Sequence, residues 1–117
     1  MDWLATQAPS TVFTTSVTKA EILYGLELLP KGKKRDGLRD AAAAMFNSRF
    51  TDRMLAFDGD AARIFAVIGA TRRKAGRPIG QFDCQIAAIA RAHGAAIATR
   101  DLQDFADCGV ELIDPWA

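Results

Sequence analysis

The sequence predicts an α/β domain, a short parallel sheet with helices on both faces, and three observations point there. Short apolar or β-branched runs alternate with longer segments of helical period. Those runs are apolar rather than alternating, as suits strands covered on both faces. Alanine fills 22 of the 117 positions, which favours closely packed helices over an all-β sandwich. Strands that alternate with helices imply crossover connections and a parallel sheet.

The elements follow in order. Met1 to Gln7 reads as the end of a helix, stopped at Pro9-Ser10. Thr11 to Thr15 is β-branched and aromatic and reads as a strand. From Thr18 the period changes: Ile22, Leu23, Leu26 and Leu29 share a helical face, and Pro30 closes that helix. Lys31 to Arg35 reads as a basic loop, and the helix after it turns Leu38, Ala42, Met45 and Phe46 inward. Met54 to Phe57 is a strand that ends at Asp58, a good N-cap for a helix with Ala61, Ile64, Phe65 and Ile68 as its buried stripe. That helix runs out in Arg72-Arg73-Lys74, where the dipole favours cations, and Gly76 to Gly80 turns the chain. Phe82, Ile86, Ile89 and Ala90 lie on the next helix, which stops at His93-Gly94. Ala95 to Thr99 reads as a buried strand, Asp101 to Asp107 as a short helical turn, and Val110 to Ile113 as the last strand.

Length and composition narrow the class further. A chain of 117 residues, half of them apolar and a quarter charged, makes one globular domain over residues 1–117. No run approaches the 18 apolar residues of a membrane span, and the N-terminus carries no secretory signal. Cys84 and Cys108 form neither a metal spacing nor a disulfide framework, so they read as reduced packing thiols in a cytoplasmic protein. The net charge is only +1, yet nine of the fifteen basic residues fall in two stretches. These are Lys31, Lys33, Lys34, Arg35 and Arg39, then Arg72, Arg73, Lys74 and Arg77, and each stretch is either a solvated run or a local phosphate contact.

Chemistry points to the carboxylates. Sites in open parallel sheets form beyond the carboxyl ends of the strands. Glu21, Asp83 and Asp101 fall near such ends or on helix starts. Carboxylates gathered there repel one another unless a cation neutralises them, and hard oxygen donors suit Mg²⁺ or Mn²⁺. Each acid also has a plain structural reading. Thr18-Lys19-Ala20-Glu21 spells a capping box. Asp83 can serve a helix N-terminus, and Asp101 and Asp104 can serve a turn. Asp58 and Asp60 are the rival acids for a metal. His93 has no partner spacing for a triad and reads as structural.

The same residues sit in familiar strings. Ser16 to Gly25 (SVTKAEILYG), followed by Leu29-Pro30-Lys31-Gly32-Lys33-Lys34-Arg35, resembles the first acidic block of the PIN-domain toxins. Phe82 to Ala90 (FDCQIAAIA) resembles their second block, and Ala98 to Phe105 (ATRDLQDF) their third. Asp114-Pro115-Trp116 is similar to the closing motif of the VapC and FitB-like branch. The resemblance implies a three-layer PIN-like fold and the toxin of a type II toxin–antitoxin system. It also implies a Mg²⁺-dependent endoribonuclease (Mn²⁺ being the other candidate), usually a homodimer, restrained by a cognate antitoxin and acting on RNA. On that resemblance Glu21, Asp83 and Asp101 map onto the metal-binding, catalytic acids. Asp104 and Thr99 would line the same site, and Arg100 with Lys33, Lys34 and Arg35 would contact RNA.

In one respect the sequence departs from the family. The family begins with a central strand that bears an Asp-Thr-Asn type motif and the first metal ligand, and no such strand stands here. Asp2 precedes a helix end and is a poor substitute. The expectation is therefore a PIN-like domain without its central strand and with little or no nuclease activity as it stands. The alternative is a non-catalytic remnant that still binds an antitoxin or a second subunit. A phosphoacceptor receiver domain would need a late lysine, and none follows Lys74.

Overall fold

The computed structural model describes Trp3 and residues 6–115. The expected N-terminal helix end falls largely on residues outside that set, as does Trp116 of the closing motif. Strand β1 (Thr14–Thr15) leads directly into helix α1 (Ser16–Glu27). Helix α2 (Lys33–Ala44) continues into a widened π turn at Met45–Arg49. Strand β2 (Met54–Leu55) precedes helices α3 (Gly59–Lys74) and α4 (Gln81–Ala92), and strands β3 (Ile97–Ala98) and β4 (Leu112–Ile113) follow.

Both strand pairs are parallel, in line with the sequence. β1 pairs with β2 in the register Thr14 to Met54, and β3 pairs with β4 in the register Ile97 to Leu112. Among the described residues they form two separate two-stranded ribbons and no joint sheet. Every strand is shorter than the apolar run that announced it. The reading of Ala95 to Thr99 as a buried strand is corrected: among the described residues β3 has a ladder partner on one side only. Ile97 is half-buried, while Ala96 and Ala98 are exposed.

The helices supply most of the packing. α4 lies against α3 and α1, and α1 against α2. The alanines of α4 are what permit this closeness: Ala87 and Ala88 are fully buried beside Ile89. Ile68 of α3, Val17 of α1, Phe105 and both cysteines complete the core. The thiols are free and buried, as packing thiols should be. Phe57 meets Phe65 edge to face at 5.7 Å. The π turn lets Phe46 and Phe50, four residues apart, both point inward.

The ends of the helices are set by local chemistry. Asp58 caps α3 as expected, its Oδ1 accepting the Ala61 N–H at 3.0 Å. Gly94 sits just past α4 with φ +63°, a left-handed conformation that glycine adopts freely. α1 begins earlier than its spacing suggests, because Thr15 rather than Thr18 is its N-cap. Thr15 Oγ1 accepts the Thr18 N–H at 2.9 Å, and the two hydroxyls lie 2.9 Å apart. Ile22, Leu23 and Leu38, expected inward, are exposed.

Candidate functional site

Glu21 stands past the first turn of α1, not at its capping position. The Thr18–Glu21 capping box therefore does not form, and the carboxylate of Glu21 is left for other work. Asp83 lies in the first turn of α4, half-buried. Asp101 and Asp104 occupy the turn after β3, both exposed. Thr99 precedes them, and its Oγ1 accepts the Asp101 N–H at 3.0 Å. Asp104 N–H in turn donates to the Asp101 carbonyl at 3.1 Å. These bonds hold the acids of the turn in a fixed relation.

The electrostatics join these elements into one site. Burial pushes the Asp83 carboxyl above its usual range, and the charges of Asp104 and then Asp101 push it further. Burial also raises Glu21, with Asp83 as the added repulsion. Asp83 is thus the residue through which α1 and the β3 turn feel each other. Asp58 and Asp60 take no part: Asp58 is spent on its cap and Asp60 sits in the first turn of α3.

Such a set of hard oxygen donors, with Asp83 and Glu21 penalised for being charged, has the chemistry of a divalent-cation site. Among the described residues no three His, Cys, Asp or Glu side chains stand close enough together to hold a metal ion between them. Mg²⁺ commonly uses one or two carboxylates and keeps several waters, so the donors fit an ion held partly through water.

The basic residues are less uniform than their spacing in sequence. Lys33 and Lys34 are exposed at the start of α2 rather than in a loop, and Arg35 beside them is half-buried. Arg39 is paired with Glu27, and Arg77 with Asp107. Arg100 is exposed next to Asp101. Arg72 is neither a solvated helix end nor available to phosphate, for it is only 6% exposed. A signal for this was present in the sequence: Ala61, Phe65, Ile68 and Arg72 fall on one helical stripe, and the stripe is buried.

Short parallel ribbons, packed helices and carboxylates near a strand end define an α/β domain with a candidate acidic site. The PIN domain family matches residues 1–110, and the chain belongs to it. The plasmid stability protein StbB of Pseudomonas syringae pv. tomato is 37% identical over 99% of this chain and 84% of its own length. The VapC ribonuclease Y4jK of Sinorhizobium fredii is 36% identical over 97% of this chain and 81% of its own. Toxin FitB of Neisseria gonorrhoeae is 33% identical over 97% of this chain and 82% of its own. The structure of FitAB bound to a DNA fragment superposes with a TM-score of 0.90 at 33% identity, over 98% of this chain and 80% of that one. These relatives place the chain among VapC/FitB-type toxins.

Proposed function

We propose that this chain is the toxin of a type II toxin–antitoxin pair, and that its acidic site is that of a Mg²⁺-dependent endoribonuclease. The observation that carries this reading is the meeting of three elements at Asp83: beyond the effect of burial, the charges of Asp104 and Asp101 act on its carboxyl, and its own charge acts on Glu21. Glu21, Asp83 and Asp101 would hold the ion, with Asp104 beside them. The bound ion supplies Lewis-acid charge at an RNA phosphodiester. The residues of the chain do the rest. The Thr99 hydroxyl orients Asp101 through its backbone N–H. Lys33, Lys34, Arg35 and Arg100 offset the charge that the substrate's phosphates would bring. Without a cation the same carboxylates repel RNA, so binding and chemistry are expected to depend on the metal together. A cognate antitoxin, a homodimer and a cytoplasmic setting belong to the same proposal, and the solved FitAB complex supports the antitoxin.

A specific feature favours a second reading, a non-catalytic module. Among the described residues the β1–β2 and β3–β4 ribbons share no ladder, and one further parallel strand between the two ribbons would join them into a single sheet. We place the expected central strand, with its metal-binding Asp, at that position. The chain without it would keep helices to bind an antitoxin but hold an incomplete ligand set. Purified 117-residue protein decides between the two readings. RNA cleavage with Mg²⁺ that is lost with EDTA, with Glu21→Gln and with Asp83→Asn supports the enzyme. Absence of cleavage and of Mn²⁺ uptake, with antitoxin co-purifying, supports the module.

A further inference from the structure

Arg72 stands out once the acids are placed. It carries a permanent charge yet lies almost wholly inside the protein, near the end of α3. No carboxylate pairs with it among the described residues. Its Nε donates to the Arg77 carbonyl at 2.7 Å, and its Nη1 donates to the carbonyls of Asp104 and Ala106, each at 3.0 Å. Cys108 Sγ lies 3.8 Å from the same nitrogen. A buried guanidinium persists only where its donors are used, and here main-chain oxygens use them.

Two of those oxygens, on Asp104 and Ala106, belong to the turn that carries Asp101 and Asp104. Around Arg72 the turn is drawn together by the Asp104–Asp101 backbone bond and by Phe105, which is buried against the core. Asp107, at φ +60°, adopts a backbone conformation uncommon outside glycine, and its side chain pairs with Arg77. The turn has no helix or ladder of its own to hold it, so its shape depends on such outside anchors. Arg72 is the anchor that reaches it from within the core and grips the acidic residue Asp104 by its own carbonyl.

We infer that Arg72 is a positioning residue of the acidic site: it locks the Asp101–Cys108 turn onto α3 and thereby sets where Asp101 and Asp104 stand relative to Asp83. Its effect on metal binding rests on the proposed metal site, whereas its effect on the turn does not.

The test uses the full chain, Arg72→Met and Arg72→Lys, and an Ile68→Val control one turn earlier on the same helix face, which leaves the hydrogen bonds to the turn in place. Amide hydrogen exchange of Asp101, Asp104 and Ala106 is measured, along with Mn²⁺ affinity by electron paramagnetic resonance. Arg72→Met is expected to exchange these amides at least tenfold faster than the control, at matched distance below each protein's own melting temperature. Its Mn²⁺ affinity is expected to drop about tenfold, with partial rescue in Arg72→Lys. If Arg72→Met does not fold, Arg72→Lys carries the comparison, with faster exchange than the control again expected. Turn amides that exchange as in the control overturn the inference. So does wild-type Mn²⁺ affinity in a variant whose turn has loosened. Should the unaltered chain take up no Mn²⁺, the metal reading falls, and the exchange data alone decide for or against Arg72.

Discussion

Thr15→Val separates two accounts of how α1 begins. The replacement keeps a β-branched residue of similar volume in β1 and removes only the hydroxyl. Two hydrogen bonds go with it, the Thr18 N–H to Thr15 Oγ1 and the bond between the two hydroxyls, each 2.9 Å. Losing an N-cap side chain costs about 1 kcal/mol. Losing a further neutral hydrogen bond in a part-buried setting costs roughly 0.5–1.5 kcal/mol. The expected total is about 2 kcal/mol, and at roughly 4 °C per kcal/mol for a domain of this size the melting midpoint falls by about 8 °C. Glu21→Ala makes the opposite case. Glu21 is no cap in the structure, and burial together with Asp83 disfavours its charge, so a neutral side chain leaves stability unchanged or raises it. Thermal melts by circular dichroism at pH 7, checked by urea titration, measure both. If Thr15→Val is silent and Glu21→Ala destabilises, the Thr18–Glu21 capping box starts the helix and the argument for a freed carboxylate collapses.

Further outcomes follow from the same geometry. Ile89 is 0% exposed, so Ile89→Ala is expected to lose about 2–5 kcal/mol, read as a lower urea midpoint. Asp58→Ala removes the α3 cap and should cost about 1 kcal/mol by the same measurement. Asp83 and Glu21 hold their protons to higher pH in the folded state than in the unfolded chain. Their contribution is therefore most favourable below the ordinary carboxylate value and declines as pH rises from there to the raised values, and Asp83→Asn should flatten that slope. At pH 7 a divalent cation that relieves the repulsion should raise the melting temperature, by about 2.7 kcal/mol of added stability at a hundred times its Kd, and Asp83→Asn should blunt the rise.

Much of the local structure was readable from the residues because it is local. Asp58 before a helical stripe, Gly94 after one, and alanines on the inner face of α4 each act over a turn or less. The acids were readable as candidates for a similar reason, since a carboxylate after a strand or in a first helical turn is visible from its neighbours. Misreadings arose where two nearby residues could do the same work. Thr15 and Thr18 both suit an N-cap, and the choice fell to Thr15 because its backbone is held extended by pairing with β2. Ala95 to Thr99 is apolar enough for a central strand, yet its burial depends on a partner strand that no local pattern supplies.

Arg72 shows the division most sharply. Its type and its place among Arg73, Lys74 and Arg77 suggested a solvated cation or a phosphate contact, whereas the fold puts it inside, in line with Ala61, Phe65 and Ile68. Which of these prevails depends on whether unpaired carbonyls are within reach to use a buried guanidinium. Here two of the three carbonyls come from residues more than thirty positions away. The identity of the helices, their caps and the carboxylate candidates were written in short-range sequence. Chain folding alone brought Asp83 beside Asp101 and Asp104 and turned a surface-looking arginine into their anchor, because charge repulsion and hydrogen bonding act through space and not along the chain.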